Sequence, residues 1–494
     1  MEEAFHLDIF GQPPHLNIYT QLCFCFPVPV GDDDRPNPQA EAAGDVLAQG
    51  LKKLAQRLPW LAGKVVHEPP TSGSKQDSGV FQIVPWADAP LLVVRDLRGD
   101  NSSSAHITME RLQNAGFPME VLDETVIAPY VTIPGGIAGS GSAPTAVFAV
   151  QISHIPGGIL LTLVTHHQVM DLIGQVQVMR LLSKMCRGEE ISNDEVSLAN
   201  ADRRDVIPPL GAGEDDQEGV SQQLDRQVVK PSPPPVGSSD TANKPVVSVW
   251  ASFSFSGASL AALKASALEP ETTTTPAVSS PQKTKFSTDD ALTAFIWQSI
   301  TRARYRRQKK DNPTDSQSGS DVTTTTLGRA VDTRRYLNIP KGYTGAINNM
   351  VYLTQPTSDV VDKLALGKIA SELRQAVDPA TSQIGLYTRA LAALLRRTPD
   401  KSVVSMGATI DASTDLMISS WAGAGPDCYG MDFGLGLGPP VSVKRPRFYP
   451  VEGLGYLMPR HPSGEISLAI CLREEDIMNL RLDEEFGRYA TYIG

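Results

Sequence analysis

The sequence predicts a mixed α/β protein of two domains, and three observations carry that reading. Strand-like and helical stretches alternate from Leu7 to about Arg187, the pattern of sheets flanked by helices. With 494 residues, 41% of them apolar, the chain can fill two hydrophobic cores. A compositional break from Arg204 to Lys244, rich in Pro, Gly, Ser and acidic residues, separates two halves. The expectation is a first domain over 1–203, a mostly extended, solvated connector over 204–244 and a second domain over 245–494.

The elements follow in chain order. Ala40 to Arg57 reads as a helix that stops before Pro59, which cannot continue it. Gly158-Ile-Leu-Leu-Thr-Leu-Val-Thr165 is an apolar, β-favouring run and reads as a buried strand. Immediately after it Val169, Leu172, Val176, Met179 and Leu182 recur at spacings of three and four, the helical period. Ser287-Thr-Asp-Asp290 looks like a capping box opening a helix with Leu292, Phe295, Ile296 and Ile300 on one face. The cations Arg302, Arg304, Arg306, Arg307, Lys309 and Lys310 read first as the solvated end of that helix, near its negative pole. Attraction of phosphates is the lesser alternative for them. Pro134–Pro144, Glu271–Lys283 and Asp311–Thr326 are polar insertions, expected as surface loops. No internal repeat stands out.

Composition excludes several functions. A net charge of -11 argues against nucleic acid as the main partner. No apolar run approaches the ~20 residues of a membrane span, and the first residues show no basic region leading into a signal-peptide core, so no targeting segment is expected. Cys23, Cys25, Cys186, Cys428 and Cys471 are too few and too scattered for a disulfide framework. A reducing, cytoplasmic setting is expected.

The chemistry centres on His166-His167-Gln-Val-Met-Asp171, where the strand turns into the helix. A neutral imidazole there, with pKa near ~6.5, can take a proton from an alcohol. A satisfied core histidine is the bland alternative, and metal binding through i and i+4 is another. His6, His15, His67, His106, His154 and His461 are scattered, so no ligand cluster forms in the sequence and no metal is expected. No Gly-x-Ser-x-Gly elbow marks a covalent nucleophile; Ala138-Gly-Ser140-Gly-Ser is the nearest approach. Asp432-Phe433-Gly434 lacks the companion motifs of a kinase, and the glycines around it lack the strand–turn–helix setting of a dinucleotide site.

A second group of residues joins the first. Ser419-Ser420-Trp421 precedes Tyr429-Gly-Met-Asp432-Phe433-Gly434-Leu-Gly436-Leu-Gly438-Pro439-Pro440. With the His-x-x-x-Asp motif this order resembles the BAHD acyltransferase superfamily. Leu7-Asp8-Ile9-Phe10-Gly11-Gln12, Ser287-Thr288-Asp289-Asp290-Ala291-Leu292, Arg329-Ala-Val-Asp332-Thr-Arg334 and Arg445-Pro446-Arg447-Phe448 bring it nearest the fungal branch of trichothecene 3-O-acetyltransferases. Two departures stand out. Leu172-Ile173 separate the motif aspartate from Gly174, and Pro439-Pro440 replaces a Lys-Pro, removing a charge and a backbone donor.

The resemblance implies two chloramphenicol-acetyltransferase-like domains of mixed sheet flanked by helices, with an active-site channel between them and part of 400–440 packed on the first domain. It implies acetyl-CoA as acyl donor and co-substrate, a small-molecule acceptor alcohol such as a sesquiterpenoid, no metal and a monomeric enzyme. His167 is the implied general base, which then protonates the departing thiolate. The indole N–H of Trp421, near Ser419 and Ser420, is the implied oxyanion donor; a plain core role fits Trp421 equally well. Asp171 is expected to hold site geometry through Arg334, and Asp432, Gly434 and Gly436 to support the fold and coenzyme binding. Lys285, Ser287, Thr288, Lys444 and Arg445 are the candidate coenzyme contacts, although capping alone accounts for Ser287. A condensation enzyme using a carrier-protein thioester, an N-acyltransferase and a non-catalytic binding relative remain as alternatives.

Overall fold

The computed structural model describes residues 4–28, 37–70, 77–89, 91–99, 107–134, 145–230, 247–269, 286–311 and 323–494. Lys285, residues 231–244 of the connector and most of the three polar insertions lie outside them.

The first core is built on a five-stranded sheet in the order Ser442–Lys444, Tyr19–Pro27, Gly158–His166, Phe148–Ile155 and Leu92–Asp96. Only the last pair is parallel. Helices Pro38–Arg57 and Leu172–Cys186 pack together and join this core. The former starts under an Asn37 cap whose side chain accepts from the Gln39 and Ala40 amides, and it buries Ala40, Ala43, Leu47, Leu51 and Leu54. These meet Leu22, Phe24, Leu161, Leu163 and Met179 in one cluster. Each leucine or phenylalanine so buried contributes about 1.5–3 kcal/mol. A four-stranded antiparallel sheet of Phe5–His6, Val80–Pro85, Gly63–Glu68 and Thr145–Ala146 stands beside it.

The second core covers a seven-stranded mixed sheet: Asn348–Pro356, Thr324–Asp332, Leu416–Ser420, Leu454–Leu457, Ile466–Arg473, Ser248–Phe255 and Thr491–Tyr492. Helix Thr288–Asp311 lies on it, with Leu292, Phe295, Trp297 and Ile300 against Phe253, Phe255, Leu468 and Ile470. Thr324–Thr326, expected in a loop, form the start of a strand instead. Their partners Pro356, Gln355 and Thr354 pair with them in register, and β-branched threonine suits that setting.

The halves are interleaved. Val443 lies opposite Phe24, so the first domain's sheet is completed by chain from the second half. Cys428, Tyr429, Met431, Phe433 and Leu435 belong to the first core as well. The described part of the connector also differs from the extended segment expected. Helix Val220–Asp225 packs on helix Ile384–Arg397 through Val220, Leu386 and Ala390. Gln227 is fully buried and donates to Asn349 Oδ1 at 2.7 Å. These apolar and amide contacts hold the segment against the second domain, where composition alone suggested solvent.

The basic run is engaged internally. Arg302 and Arg306 pair with Asp483, Arg307 with the fully buried Asp476, and Arg304 donates to the Asp415 carbonyl. No helix among the described residues is long and apolar enough to cross a membrane, and all five cysteines are free thiols.

Candidate active site

Strand Gly158–His166 ends one residue before His167, and the turn that follows carries the imidazole to the interface between the halves. Helical periodicity suggested a helix from Val169; the helix begins at Leu172, because Asp171 caps it by accepting the Gly174 amide at 2.9 Å. The His167 backbone amide donates to Ile18 O at 2.8 Å, pinning the turn. Its ring lines a cavity of about 370 Å³ together with His15, Ile18 and Leu172 from the first half and Met350, Met417, Trp421 and Tyr456 from the second. Burial pushes the His167 pKa below the ordinary histidine value. The Asp171 carboxylate and the carbonyls of Met170 and His167 oppose that shift, while Arg445 adds to it. A neutral ring at physiological pH follows, and Nδ1 is buried with no partner among the described residues.

Asp171 does not serve His167 as a triad carboxylate. Its oxygens accept from Arg334 Nη1 and Nη2 at 2.8 and 2.9 Å and from the Ile347 amide at 2.8 Å. Arg334 also donates to Asp332 and to the Tyr343 and Gly345 carbonyls. The pair therefore ties the helix after the His167 turn to the second domain. Gly174 sits at the same contact: a Cβ there would lie 2.1 Å from the Thr344 carbonyl oxygen. The displaced glycine thus has a packing reason, since helix and second domain touch through it.

Trp421 and Ser419 line the cavity across from the first domain. The Trp421 indole N–H donates to Ser419 Oγ at 3.1 Å. The indole hydrogen is thus engaged with Ser419, and the hydroxyl hydrogen of Ser419 is the one outside that bond. Ser420 lines this cavity as well and donates to Asp289 Oδ1 at 2.6 Å.

A second cavity, of about 740 Å³, shares Ala330, Val331, Asp332 and Ser420 with the first. It holds Ser287 and Thr288 together with Lys264, Arg329, Arg335, Arg374 and Arg460. Ser287 and Asp290 form a reciprocal cap, with Ser287 Oγ accepting the Asp290 amide at 3.1 Å and Asp290 accepting the Ser287 amide at 2.7 Å. Asp290 also pairs with Arg329 and Arg374. Lys264, Arg335 and Arg460 line this cavity with no carboxylate partner among the described residues, although Arg335 donates to the Val377 carbonyl at 3.1 Å and to the Tyr336 hydroxyl.

The remaining sequence candidates separate. Lys444 lines neither large cavity; it is buried, donates to Ser467 Oγ at 2.6 Å, and its desolvated ammonium is pushed down in pKa. That removes it from the coenzyme contacts. Arg445 lines the His167 cavity, not the cationic one, and lies over the rings of Phe448, Tyr456 and Trp421 at 4.4, 4.8 and 5.6 Å. Asp432, Gly434 and Gly436 line neither cavity. Asp432 Oδ1 accepts the Gly434 amide at 2.7 Å and its carbonyl accepts from Ser183 Oγ at 2.6 Å, so the segment fastens to the end of helix Leu172–Cys186. Gly434 and Gly436 both adopt positive φ. No group of three or more metal-ligating side chains occurs among the described residues.

Sequence reasoning missed His15, Lys264, Arg335, Arg374 and Arg460. The four cations stand on two helices, a short turn and a loop far apart in the chain, so no local pattern links them. His15 did carry a signal, a histidine behind Pro13-Pro14, but scatter along the chain hid it.

A base placed where an apolar chamber meets a cationic one suits transfer of a group from an anionic carrier to an apolar alcohol, and the fold and site together define an acyltransferase. Two family models match: the Trichothecene 3-O-acetyltransferase-like N-terminal domain over residues 18–186 and the Transferase family over 136–486. The chain belongs to the Transferase family, the BAHD acyltransferases its motifs resemble. It is 42% identical over 490 residues to the O-acetyltransferase dmxR13 of a Cryptosporiopsis species, covering 99% of this chain and 98% of that one. It is 40% identical to trichothecene 3-O-acetyltransferase TRI101 of Fusarium sporotrichioides, covering 99% and 97%. The crystal structure of F. graminearum TRI101 complexed with coenzyme A and T-2 mycotoxin matches with a TM-score of 0.83 at 37% identity, covering all of both chains. Vinorine synthase, 17% identical with a TM-score of 0.58 over 97% of this chain and 92% of its own, shares the fold.

Proposed function

We propose that the protein transfers acetyl from acetyl-CoA to a hydroxyl of a polycyclic, largely apolar secondary metabolite, with trichothecene-like sesquiterpenoids the favoured class. The observation that carries this reading is the shared wall of the two cavities, with His167 on one side and the cationic cluster on the other. The cations suit the coenzyme phosphates, with Ser287 and Thr288 beside them. The cavity around His167 is lined mainly by apolar side chains, including Met350, Met406 and Met417, whose flexible thioethers adapt to bulky ring systems. The trichothecene and coenzyme A complex of the 37% identical relative supports the same assignment of donor and acceptor.

The reaction is direct transfer in a ternary complex. His167 removes the hydroxyl proton as oxygen attacks the thioester carbonyl, then returns it to the leaving thiolate. The Ser419 hydroxyl, oriented by the Trp421 indole, donates to the developing oxyanion, a contribution of about 3–4 kcal/mol in comparable sites. Asp171 and Arg334 keep the turn in place. Free thiols and the lack of a spanning helix among the described residues support a cytoplasmic setting, and one chain supplies both sides of the channel, consistent with a monomer. Free-thiol release from acetyl-CoA, followed with a panel of hydroxylated terpenoids for the wild type and His167→Ala, tests the proposal. Acceptor-dependent release that collapses in the variant supports it, and robust turnover by the variant overturns the mechanism.

A further inference from the structure

The cavity that holds His167 contains a second imidazole. His15 stands in the short turn Pro14–Leu16, is exposed to the cavity and makes no hydrogen bond to a described residue. Its segment is bonded residue by residue to the catalytic turn. Ile18 O accepts the His167 amide at 2.8 Å, Asn17 Oδ1 pairs with His166 Nε2 at 3.0 Å, and Pro13 O accepts from Gln168 Nε2 at 3.3 Å. Gly11 lies so near the turn that a Cβ on it would stand 2.0 Å from the Gln168 carbonyl oxygen. Pro13 and Pro14 restrict the backbone just before the ring. The placement of His15 relative to His167 is therefore set by a rigid bracket, not by a free loop. Most of the lining around the two rings is hydrocarbon or thioether, which makes a bare donor–acceptor ring conspicuous. At neutral pH an imidazole is mostly uncharged, so His15 offers one N–H donor and one acceptor nitrogen.

We propose that His15 orients the acceptor by hydrogen-bonding a second oxygen next to the hydroxyl that His167 deprotonates, so that the preferred acceptors are diols and hydroxyketones. This deepens the proposed acetylation and rests on it for the identity of the reacting group. An apolar cavity alone places a rigid ring system but leaves its rotation open. A fixed polar contact beside the base selects one hydroxyl for attack, which makes His15 a determinant of regiochemistry.

The test uses two probes, a rigid polycyclic diol with adjacent hydroxyls and its counterpart lacking the hydroxyl that is not acylated. Binding to coenzyme A-saturated protein is measured by calorimetry, and kcat and KM are measured with acetyl-CoA, for wild type, His15→Ala and His15→Gln. The wild type should favour the diol by about three- to tenfold, the worth of one hydrogen bond. His15→Ala should lose that preference and acylate the diol with mixed regiochemistry, while its KM for acetyl-CoA stays near wild type. His15→Gln, which keeps a donor and an acceptor, should restore part of the preference. Equal affinity of the wild type for both probes, including none for either, overturns the assignment, as does a preference that survives in His15→Ala or an equal loss on both probes. A wild type that discriminates the probes in binding yet transfers no acetyl leaves His15 in its role and sinks the acetylation reading.

Discussion

Arg334 reaches across 163 positions of chain to hold both carboxylate oxygens of Asp171, at 2.8 and 2.9 Å. Asp171 and Arg334 are both buried, and the Arg334 guanidinium beside Asp171 helps hold that carboxyl below the usual range. Removing one partner leaves the other charged and desolvated. Asp171→Asn and Arg334→Met should each lower unfolding free energy by about 3–5 kcal/mol in urea titrations. The double variant should lose less than the sum, since the two act as one unit. Additive losses would contradict that coupling.

The pH profile reports on His167. Because burial lowers its pKa, kcat/KM should hold through neutrality and fall only as pH drops below the ordinary histidine value, where the base becomes protonated. The charged and titratable groups around it are His15, His166, Asp171 with Arg334, and Arg445, whose own charge is faced by Glu124. Arg445→Met removes a positive charge that disfavours the imidazolium, so the acid limb should move to higher pH. A limb that stays in place would show that Arg445 only packs. His167→Ala itself should cost about 10²–10⁴-fold in kcat.

Ser419 and Trp421 can be separated kinetically. With the indole N–H donated to Ser419 Oγ, the hydroxyl is the group left to meet the oxyanion. Ser419→Ala should lower kcat about 10²–10³-fold with little change in KM for acetyl-CoA. Trp421→Phe, which loosens the hydroxyl without removing it, should cost less. The reverse order would return the donor role to the indole.

The cationic cavity makes a prediction about the donor alone. Lys264→Ala and Arg460→Ala should each raise the KM for acetyl-CoA several-fold, by up to about 1 kcal/mol for a solvent-exposed ion pair, with kcat preserved. The effect should shrink as salt rises. Initial rates at two ionic strengths decide it.

Much of this site was legible in the chain, and the physical reason is locality. His167 and Asp171 lie four residues apart, between an apolar β run and an apolar helical period, so strand, turn and helix could be read directly. Arg334 was reachable only through the resemblance, because nothing local pairs it with Asp171. Lys444 and Arg445 show the limit. Adjacent strand-end cations look equivalent in sequence, yet one is buried against Ser467 and the other is turned over three aromatic rings at the His167 cavity. Strand alternation points neighbours to opposite sides, and only the packed sheet says what each side meets.

The sequence by itself determined the class of fold and set His167 and Asp171 at one strand-to-helix turn, since both depend on side-chain period and short spacing; the roles proposed for the two came from the resemblance. The tertiary structure decided what no window of sequence contains: the crossing of Ser442–Lys444 into the first domain's sheet, the gathering of Lys264, Arg335, Arg374 and Arg460 around one cavity, and the setting of His15 beside His167. Those relationships join residues tens to hundreds of positions apart. They arise from burial and packing of whole elements, which bring side chains together without regard to their distance along the chain.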